Sequence, residues 1–353
     1  MTNTAHNIYI HVPFCLSKCN YCAFFSHACA QPDWDKYTQD ICQELEFWGQ
    51  KLGKISVPTI FFGGGTPSLM PTSCFEKIIN KIKKLFALAS DAEITIEANP
   101  KTLDKIKLGD FCKNGVNRLS IGIQSLDDDK LKFLGRQHNA TNALQLLEDA
   151  SVFNIKTSAD FIYGLPDETI DDVAKMCEQI NSLGLKHCSL YELTIEENTP
   201  FGKQKLQMPD NNTMANMYIA IQETLKLKRY EVSNYAADEN NQCKHNVNIW
   251  DGQPYIGIGR GAAGRVFIND TWFEQAGNYA AFNTLAITER ATEKIITGIR
   301  TTRGCTLTDD IRNIIDEKWV ENNPNLVKID NNRIYATDNG ILILDEITRN
   351  LIK

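Results

Sequence analysis

Through its first two-thirds the chain alternates short runs of β-branched and aromatic residues with amphipathic segments, and this alternation constrains the fold most. The runs predict strands over residues 8–12, 59–62, 93–97, 118–123, 157–162 and 188–193. Between them apolar residues recur at three- and four-residue steps, as in Trp34, Tyr37, Ile41 and Leu45, which predicts helices. Such alternation builds βα units on a parallel sheet. About six units fit before residue 200, whereas a closed barrel needs eight, so we expect an α/β fold with a partial (β/α)6 TIM-like barrel.

The pattern changes twice after the predicted barrel, which we place in residues 1–233. Residues 234–284 are rich in Gly, Asn and aromatic residues and predict an irregular segment that closes the barrel. Residues 285–353 predict a small C-terminal α+β domain that is winged-helix-like. In that part helical stretches precede two extended segments, 326–334 and 340–347, and Asn331–Asn332 is typical of a hairpin turn.

Charge and cysteine content exclude several classes of protein. The chain carries 37 Lys and Arg against 44 Asp and Glu, a net charge of −7, which argues against a nucleic-acid partner. No run of eighteen apolar residues exists, so we expect no membrane span. His11 and Pro13 interrupt the N-terminal apolar stretch, so we expect no signal peptide and a cytoplasmic protein. The odd count of 11 cysteines argues against a disulfide framework in that compartment.

Three of the cysteines lie close together, at Cys15, Cys19 and Cys22. Their spacing, C-x3-C-x2-C, places three thiols on one short loop, where they can hold three corners of a [4Fe–4S] cluster and leave one iron open. A structural zinc site is the main alternative, with His11 or His27 as its fourth ligand. The spacing alone favours iron–sulfur only modestly.

Other polar or glycine-rich positions follow the predicted strands. They are the run Gly63-Gly64-Gly65, and then Glu97, Gln124 and Asp160. Active sites of barrel folds lie at the carboxyl ends of the strands, so we expect these residues to meet the cysteine loop. Taken alone, Glu97 and Asp160 could equally cap helices.

The motifs in order resemble the radical S-adenosylmethionine (SAM) superfamily. The resemblance rests on the three-cysteine motif after a first strand and on the run GGGTP at residues 63–67. Further motifs resemble one branch of this superfamily, which contains oxygen-independent coproporphyrinogen III dehydrogenases and related haem chaperones. These motifs are YIHVPFC at 9–15, SIGIQS at 120–125, LGR at 134–136, GLP at 164–166 and KHN at 244–246.

The resemblance implies a cluster on Cys15, Cys19 and Cys22, with SAM bound to the fourth iron through its amino and carboxylate groups. An electron from the reduced cluster would then cleave SAM. In this reading Arg136 pairs with the SAM carboxylate, and Glu97 and Asp160 accept hydrogen bonds from SAM. The full set of implied SAM contacts is Tyr9, Tyr21, Gly64, Gly65, Thr66, Glu97, Gln124, Arg136 and Asp160.

Two features separate the chaperones of this branch from the dehydrogenases. The dehydrogenases carry a further Cys two residues after the third, where this chain has Phe24, and a longer N-terminal extension, whereas eight residues precede Tyr9 here. The chaperones carry an H-N-x-x-Y-W motif linked to haem, which reads His245-Asn246-Val-Asn-Ile249-Trp250 here.

The resemblance therefore implies a haem chaperone, with His245 as a candidate haem ligand and the dehydrogenase of porphyrin biosynthesis as the alternative. A hydrogen-bonded loop histidine is a nearly equal interpretation of His245. The implied partners are haem, a haem-accepting protein and an electron donor such as flavodoxin or ferredoxin.

Overall fold

Strands and helices alternate through the described part of the chain, residues 4–277 and 280–353 of a computed structural model. The described strands are Asn7–Val12 (β1), Phe14–Cys15 (β2), His27–Ala28 (β3), Ser56–Gly64 (β4), Ala87–Ala98 (β5), Arg118–Gln124 (β6), Lys156–Tyr163 (β7), His187–Glu192 (β8), Lys228–Glu231 (β9), Asn234–Ala236 (β10), Tyr255–Ile258 (β11), Ala263–Ile268 (β12), Thr271–Ala276 (β13), Phe282–Thr284 (β14), Cys305–Thr306 (β15), Val327–Asp330 (β16) and Arg333–Ala336 (β17).

The described α-helices are Trp34–Leu52 (α1), Thr72–Leu85 (α2), Lys105–Lys113 (α3), Asp128–Phe133 (α4), Ala140–Ser151 (α5), Ile170–Ser182 (α6), Asn211–Thr224 (α7), Lys244–Trp250 (α8), Ile287–Gly298 (α9), Asp309–Ile314 (α10), Glu317–Asn322 (α11) and Leu344–Leu351 (α12). None of the helices in the described ranges is long and apolar enough to cross a membrane.

The predicted partial barrel is confirmed. Within the described residues one large sheet runs in the order β14-β13-β12-β11-β1-β4-β5-β6-β7-β8-β10-β9, and neighbours from β1 through β8 pair in parallel. On β1, Ile8, Ile10 and Val12 are fully buried in the hydrophobic core, whereas the alternate residues Tyr9 and His11 belong to the opposite face. That alternation lines the concave side of the sheet with polar and aromatic side chains.

The segment predicted to be irregular, residues 234–284, is largely regular. It contains α8 and strands β10 to β14: β11 pairs in parallel with β1, so β11 to β14 extend the sheet beyond β1, whereas β10 pairs with β8 near the other edge. The glycines that suggested irregularity instead permit close strand contacts, because a Cβ on Gly257 would lie 2.3 Å from the Ala263 carbonyl oxygen.

The C-terminal part has a hydrophobic cluster of its own, which includes Ile295, Ile311, Ile334 and Leu351. Its element order matches a winged helix followed by one more helix: helix, strand, two helices, a two-strand hairpin and a last helix. The sheet order is β15-β17-β16. Asn331 and Asn332 both have positive φ and form the predicted turn. The domain boundaries at 233 and 284 stay a prediction.

One C-terminal prediction is wrong. Residues 340–347 were expected to be extended, but they form a short 3-10 turn that continues into α12. Four buried residues recur at helical spacing here: Ile341, Leu344, Ile347 and Leu351. A helix places all four side chains on one buried face, whereas a strand would place them on both faces.

Candidate functional site

The cysteine loop, residues 15–22, follows β1 and is fixed by backbone pairing on one side and by hydrogen bonds on the other. Strand β2 pairs with β3, and the backbone of Asn20 donates to the Leu134 carbonyl at 3.1 Å while its side chain donates to the Phe133 carbonyl at 2.7 Å. Cys15, Cys19 and Cys22 are free and half-buried. The loop therefore presents three thiols from a backbone that is tied to the α4 end of the barrel.

These thiols line a cavity of about 440 Å³ at the carboxyl ends of the strands, which is in the usual size range for a small-molecule site. Every predicted site residue except Tyr9 and His245 lines this cavity: Cys15, Cys19, Tyr21, Cys22, Gly64, Gly65, Thr66, Glu97, Gln124, Arg136 and Asp160. The juxtaposition of strand ends expected from the sequence is thus present.

Glycines at the end of β4 leave room beside the cysteine loop. Gly64 has a φ of 114°, which side chains rarely adopt. A Cβ on Gly65 would lie 2.7 Å from the Phe14 carbonyl oxygen and 3.0 Å from the Cys15 sulfur. Gly65 thus lets the strand end approach the cysteine loop, and Gly64 leaves room for the His11 ring.

Arg136 contacts the cysteine loop directly. Its Nη1 donates to the Cys19 Sγ at 3.3 Å, and its Nη2 donates to the Gly122 carbonyl at 2.8 Å and to the Asn99 side chain. Its Nε is buried with no hydrogen-bond partner among the described residues. The guanidinium thus places positive charge beside a thiol and has one donor left for a ligand.

Glu97 and Asp160 lie on the cavity wall as a pair of carboxyl groups. Burial raises the pKa of Glu97 to about 8, and the nearby charge of Asp160 raises it as well. Burial also raises the pKa of Asp160 to about 6, although hydrogen bonds from Ser189 and Ser120 lower it. Two carboxyl groups so placed can accept hydrogen bonds from hydroxyl or amino groups of a ligand.

Gln124 ends β6 in an unusual backbone conformation. Its φ is 68°, and the pairing of β6 with β7 shifts register between Gly122 and Gln124. Such a bulge redirects a side chain, and left-handed backbone at a residue other than glycine is often found at functional sites.

Sequence reasoning missed Asn99. It lines the cavity, donates to the Thr66 hydroxyl at 3.0 Å and accepts from Arg136, so it links two predicted site residues. The available signal was its position two residues after Glu97, just beyond the end of β5.

Tyr9 does not line the cysteine cavity. Its hydroxyl lies 3.0 Å from the His11 Nδ1, and the His11 Nε2 lies 2.7 Å from the Phe25 carbonyl oxygen. Both ring nitrogens of His11 are therefore engaged, which disfavours it as a zinc ligand. Across residues 4–277 and 280–353, no three His, Cys, Asp or Glu side chains are arranged to share one metal ion.

The donor set therefore fits a larger cluster better than a single zinc ion. An anionic iron–sulfur centre needs thiol ligands, space and nearby positive charge. The cavity offers three thiols, the glycine Gly65 beside Cys15 and the Arg136 guanidinium beside Cys19.

His245 lies in a second cavity of about 350 Å³, together with Tyr9. Its partner Thr59 lies in the first half of β4, whereas Gly64, which lines the first cavity, ends that strand, and the two cavities have no lining residue in common. The remaining lining residues are Phe61, Asn246, Ile249, Trp250, Tyr255 and Ala263. Every defined position of the motif at 245–250 therefore faces one largely aromatic cavity.

Comparisons with known proteins agree with this geometry. Residues 9–180 match the family described as the Radical SAM superfamily. The haem chaperone HemW of Buchnera aphidicola (Schizaphis graminum) is 38% identical over 265 residues, which cover 74% of this chain and 70% of the relative. HemW of Escherichia coli is 38% identical over 269 residues, with 75% and 71% coverage.

The fold also has a solved counterpart. Coproporphyrinogen III oxidase (HemN) from Escherichia coli superposes with a TM-score of 0.80, covering 98% of this chain and 89% of that chain. The two share 19% sequence identity, so this likeness establishes the architecture and leaves the activity open.

Proposed function

Because the chain belongs to the HemW family of radical SAM haem chaperones, we propose that it binds a [4Fe–4S] cluster, SAM and haem and delivers haem to an acceptor protein. The observation that carries this proposal is the 38% identity to curated haem chaperones over about three-quarters of the chain. The two separate cavities support it, since a chaperone of this kind needs one site for SAM and the cluster and another for its haem cargo.

In this proposal Cys15, Cys19 and Cys22 hold three irons of the cluster, and SAM occupies the fourth. Once bound and reduced, the cluster supplies the electron that can cleave SAM. Gly65 lets the end of β4 lie against Phe14 and Cys15, where any side chain would collide with the loop, and Gly64 leaves room for the His11 ring. The protein's own task there is to place the ligand and shield it from water.

In this proposal the charged residues around that cavity bind different groups of SAM. Arg136 stabilises the Cys19 sulfur and offers its unpartnered Nε to an anionic group. Glu97 and Asp160 accept hydrogen bonds from hydroxyl or amino groups, while Tyr21, Thr66 and Gln124 complete the wall. Tyr9 lines the second cavity, and its contact with SAM stays a prediction.

The haem cargo is assigned to the second cavity, with His245 as the iron ligand. Imidazole suits haem iron, and the walls formed by Tyr9, Phe61, Trp250 and Tyr255 suit a flat apolar macrocycle. Ile249 stands where the motif has Tyr, so this wall offers an apolar contact in place of a hydroxyl.

Phe24 argues against the dehydrogenase alternative. Its side chain is 69% exposed and lines the mouth of the cysteine cavity, at the position where the dehydrogenases of this branch carry a further Cys. The solved structure of HemN shares the fold, but at 19% sequence identity this likeness does not indicate that the activity is shared. We assign the protein to the cytoplasm and its electron supply to a small donor such as flavodoxin or ferredoxin.

The test is an anaerobic haem titration of cluster-reconstituted protein, followed by its Soret band, with a parallel assay for coproporphyrinogen III turnover. We expect saturation at about one haem per chain and no decarboxylated product. Product formation with SAM, or haem binding that does not saturate, would overturn the proposal.

A further inference from the structure

The His245 ring is held firmly on one side and open on the other. Its Nδ1 lies 2.7 Å from the Thr59 Oγ1, and its ring lies 5.0 Å from the Phe61 ring, centroid to centroid. Its Nε2 has no hydrogen-bond partner among the residues that the structure describes. One ring nitrogen is thus fixed by protein, and the other is available.

Thr59 belongs to a hydrogen-bond chain whose direction can be read from its donors. The Asn7 Nδ2 donates to the Pro254 carbonyl at 3.1 Å, which turns the Asn7 Oδ1 toward Thr59 and toward the Asn248 Nδ2. The Thr59 hydroxyl lies 2.8 Å from that oxygen and donates its single proton to it. Thr59 can then only accept from His245, so the Nδ1 carries the ring proton.

The opposite direction is disfavoured. If the Thr59 hydroxyl donated to His245, two oxygen atoms without a proton between them would face each other at 2.8 Å inside the barrel.

The backbone of His245 is fixed by a separate pair of buried residues. The Glu93 Oε1 accepts from the His245 backbone N–H at 3.1 Å, at the start of α8, where the N-cap Cys243 makes no side-chain capping bond. Arg118 lies 3.6 Å from Glu93 and donates to the carbonyls of Asn241 and Gln242. Both the ring and the helix that carries it are therefore anchored to the sheet.

We propose that Thr59 is a positioning residue that holds His245 in the tautomer protonated at Nδ1 and so leaves the Nε2 lone pair free to bind haem iron. The inference rests on the proposed haem site and goes beyond it by naming the residue that sets the ligand atom. Histidines that bind metals commonly donate their other ring N–H to a protein acceptor, which fixes the ring and raises its basicity.

The tautomer can be measured before any haem is added. Protein labelled with ¹⁵N-histidine is studied by long-range ¹H–¹⁵N correlation at pH 7, and the His245 signals are assigned with a His245→Gln variant. We expect the shifts of a neutral ring with a protonated Nδ1. A protonated Nε2, or a charged ring, overturns the inference whatever the haem affinity is.

Haem titration then tests the consequence in five proteins: wild type, Thr59→Val, Thr59→Ser, Thr95→Val and His245→Ala. Thr59→Val removes the acceptor with almost no change in shape, and we expect haem affinity to fall about 10- to 100-fold with a shifted Soret band. Thr59→Ser keeps the hydroxyl and should restore both. Thr95 is buried on the neighbouring strand with an unpartnered hydroxyl among the described residues, so Thr95→Val is the matched control and should bind as wild type.

The outcomes separate this inference from the proposed function. Wild-type affinity in Thr59→Val beside weak binding in His245→Ala overturns the inference and leaves the haem site in place. Wild-type affinity in His245→Ala also overturns it, because the iron ligand then lies elsewhere. Absence of saturable haem binding in wild type overturns the proposed function itself, while the tautomer measurement still stands on its own.

Discussion

Glu97 shows how burial gives one side chain a special chemistry. Its carboxyl group accepts a hydrogen bond from the Gly64 backbone at 3.2 Å and faces Asp160, another acid, across the cavity. With no ligand bound, burial and that neighbour hold the pKa of Glu97 near 8. The group is therefore poised to be neutral in the empty cavity and to ionise when a cationic or hydrogen-bond-donating ligand arrives.

We predict that Glu97→Gln stabilises the ligand-free protein increasingly as pH rises. Between the unfolded pKa of 4.5 and the folded pKa of about 8, the folded state keeps a proton that the unfolded state releases, so stability falls as pH rises. Glutamine has no such proton. Thermal unfolding at pH 5 and pH 8 should show an advantage for the variant that grows with pH, whereas a constant difference would contradict this. Glu178→Gln, on the exposed face of α6, is the control.

Arg136→Lys should weaken SAM binding by about tenfold or more, since a hydrogen bond from a charged donor contributes about 1.5–3 kcal/mol. A lysine has a single ammonium group and cannot span Cys19, Asn99 and Gly122 as the guanidinium does. Equilibrium dialysis of SAM with reconstituted protein measures the effect. Arg312→Lys, on the half-exposed α10 surface, should bind SAM as wild type, and equal affinity in both variants would refute the assignment.

At the scale of elements, the end of β4 and the cysteine loop must approach closely. We predict that Gly65→Ala lowers the iron bound after reconstitution by half or more, because its Cβ would collide with the carbonyl oxygens of Val12 and Phe14. Gly109→Ala in α3 is the control, since its Cβ would meet only the Phe153 ring at 3.3 Å. Iron and sulfide analysis measures both, and full iron content in Gly65→Ala would contradict the packing argument.

The parallel strands and the cysteine loop could be predicted because their signals are local. Apolar runs mark β1 and β4 through β8, and three cysteines in eight residues need no long-range information. Residues 234–284 were misjudged because their strands depend on partners far away in sequence, such as β1 for β11. The sequence also could not predict that Tyr9 lines a different cavity from the cysteines. Alternation along β1 predicts the face of the sheet on which a side chain lies, but it does not predict which cavity on that face the side chain lines.

At the scale of the whole molecule, two large cavities lie in one barrel and share no lining residue among the described ones. Between them lies a small internal cavity of about 50 Å³, whose polar walls include Ser158, His187 and Asn234. This internal cavity shares Glu97 and Asp160 with the first large cavity and Phe61 and Asn246 with the second.

We therefore predict that haem and SAM bind independently. A ligand changes the affinity for another only through a difference in binding free energy between states, and none of the described residues lines both large cavities. Haem titrations with and without saturating SAM should give dissociation constants that agree within about twofold. A change of tenfold would show a coupling of about 1.4 kcal/mol between the cavities and contradict this arrangement.

We propose that this chain holds haem at His245, apart from its iron–sulfur site. The most direct measurement is an anaerobic haem titration of wild type, of His245→Ala and of the triple variant Cys15→Ala, Cys19→Ala, Cys22→Ala. We expect about one haem per chain in wild type and in the triple variant, with markedly weaker binding in His245→Ala. Haem binding that persists in His245→Ala and disappears with the three cysteines would contradict it.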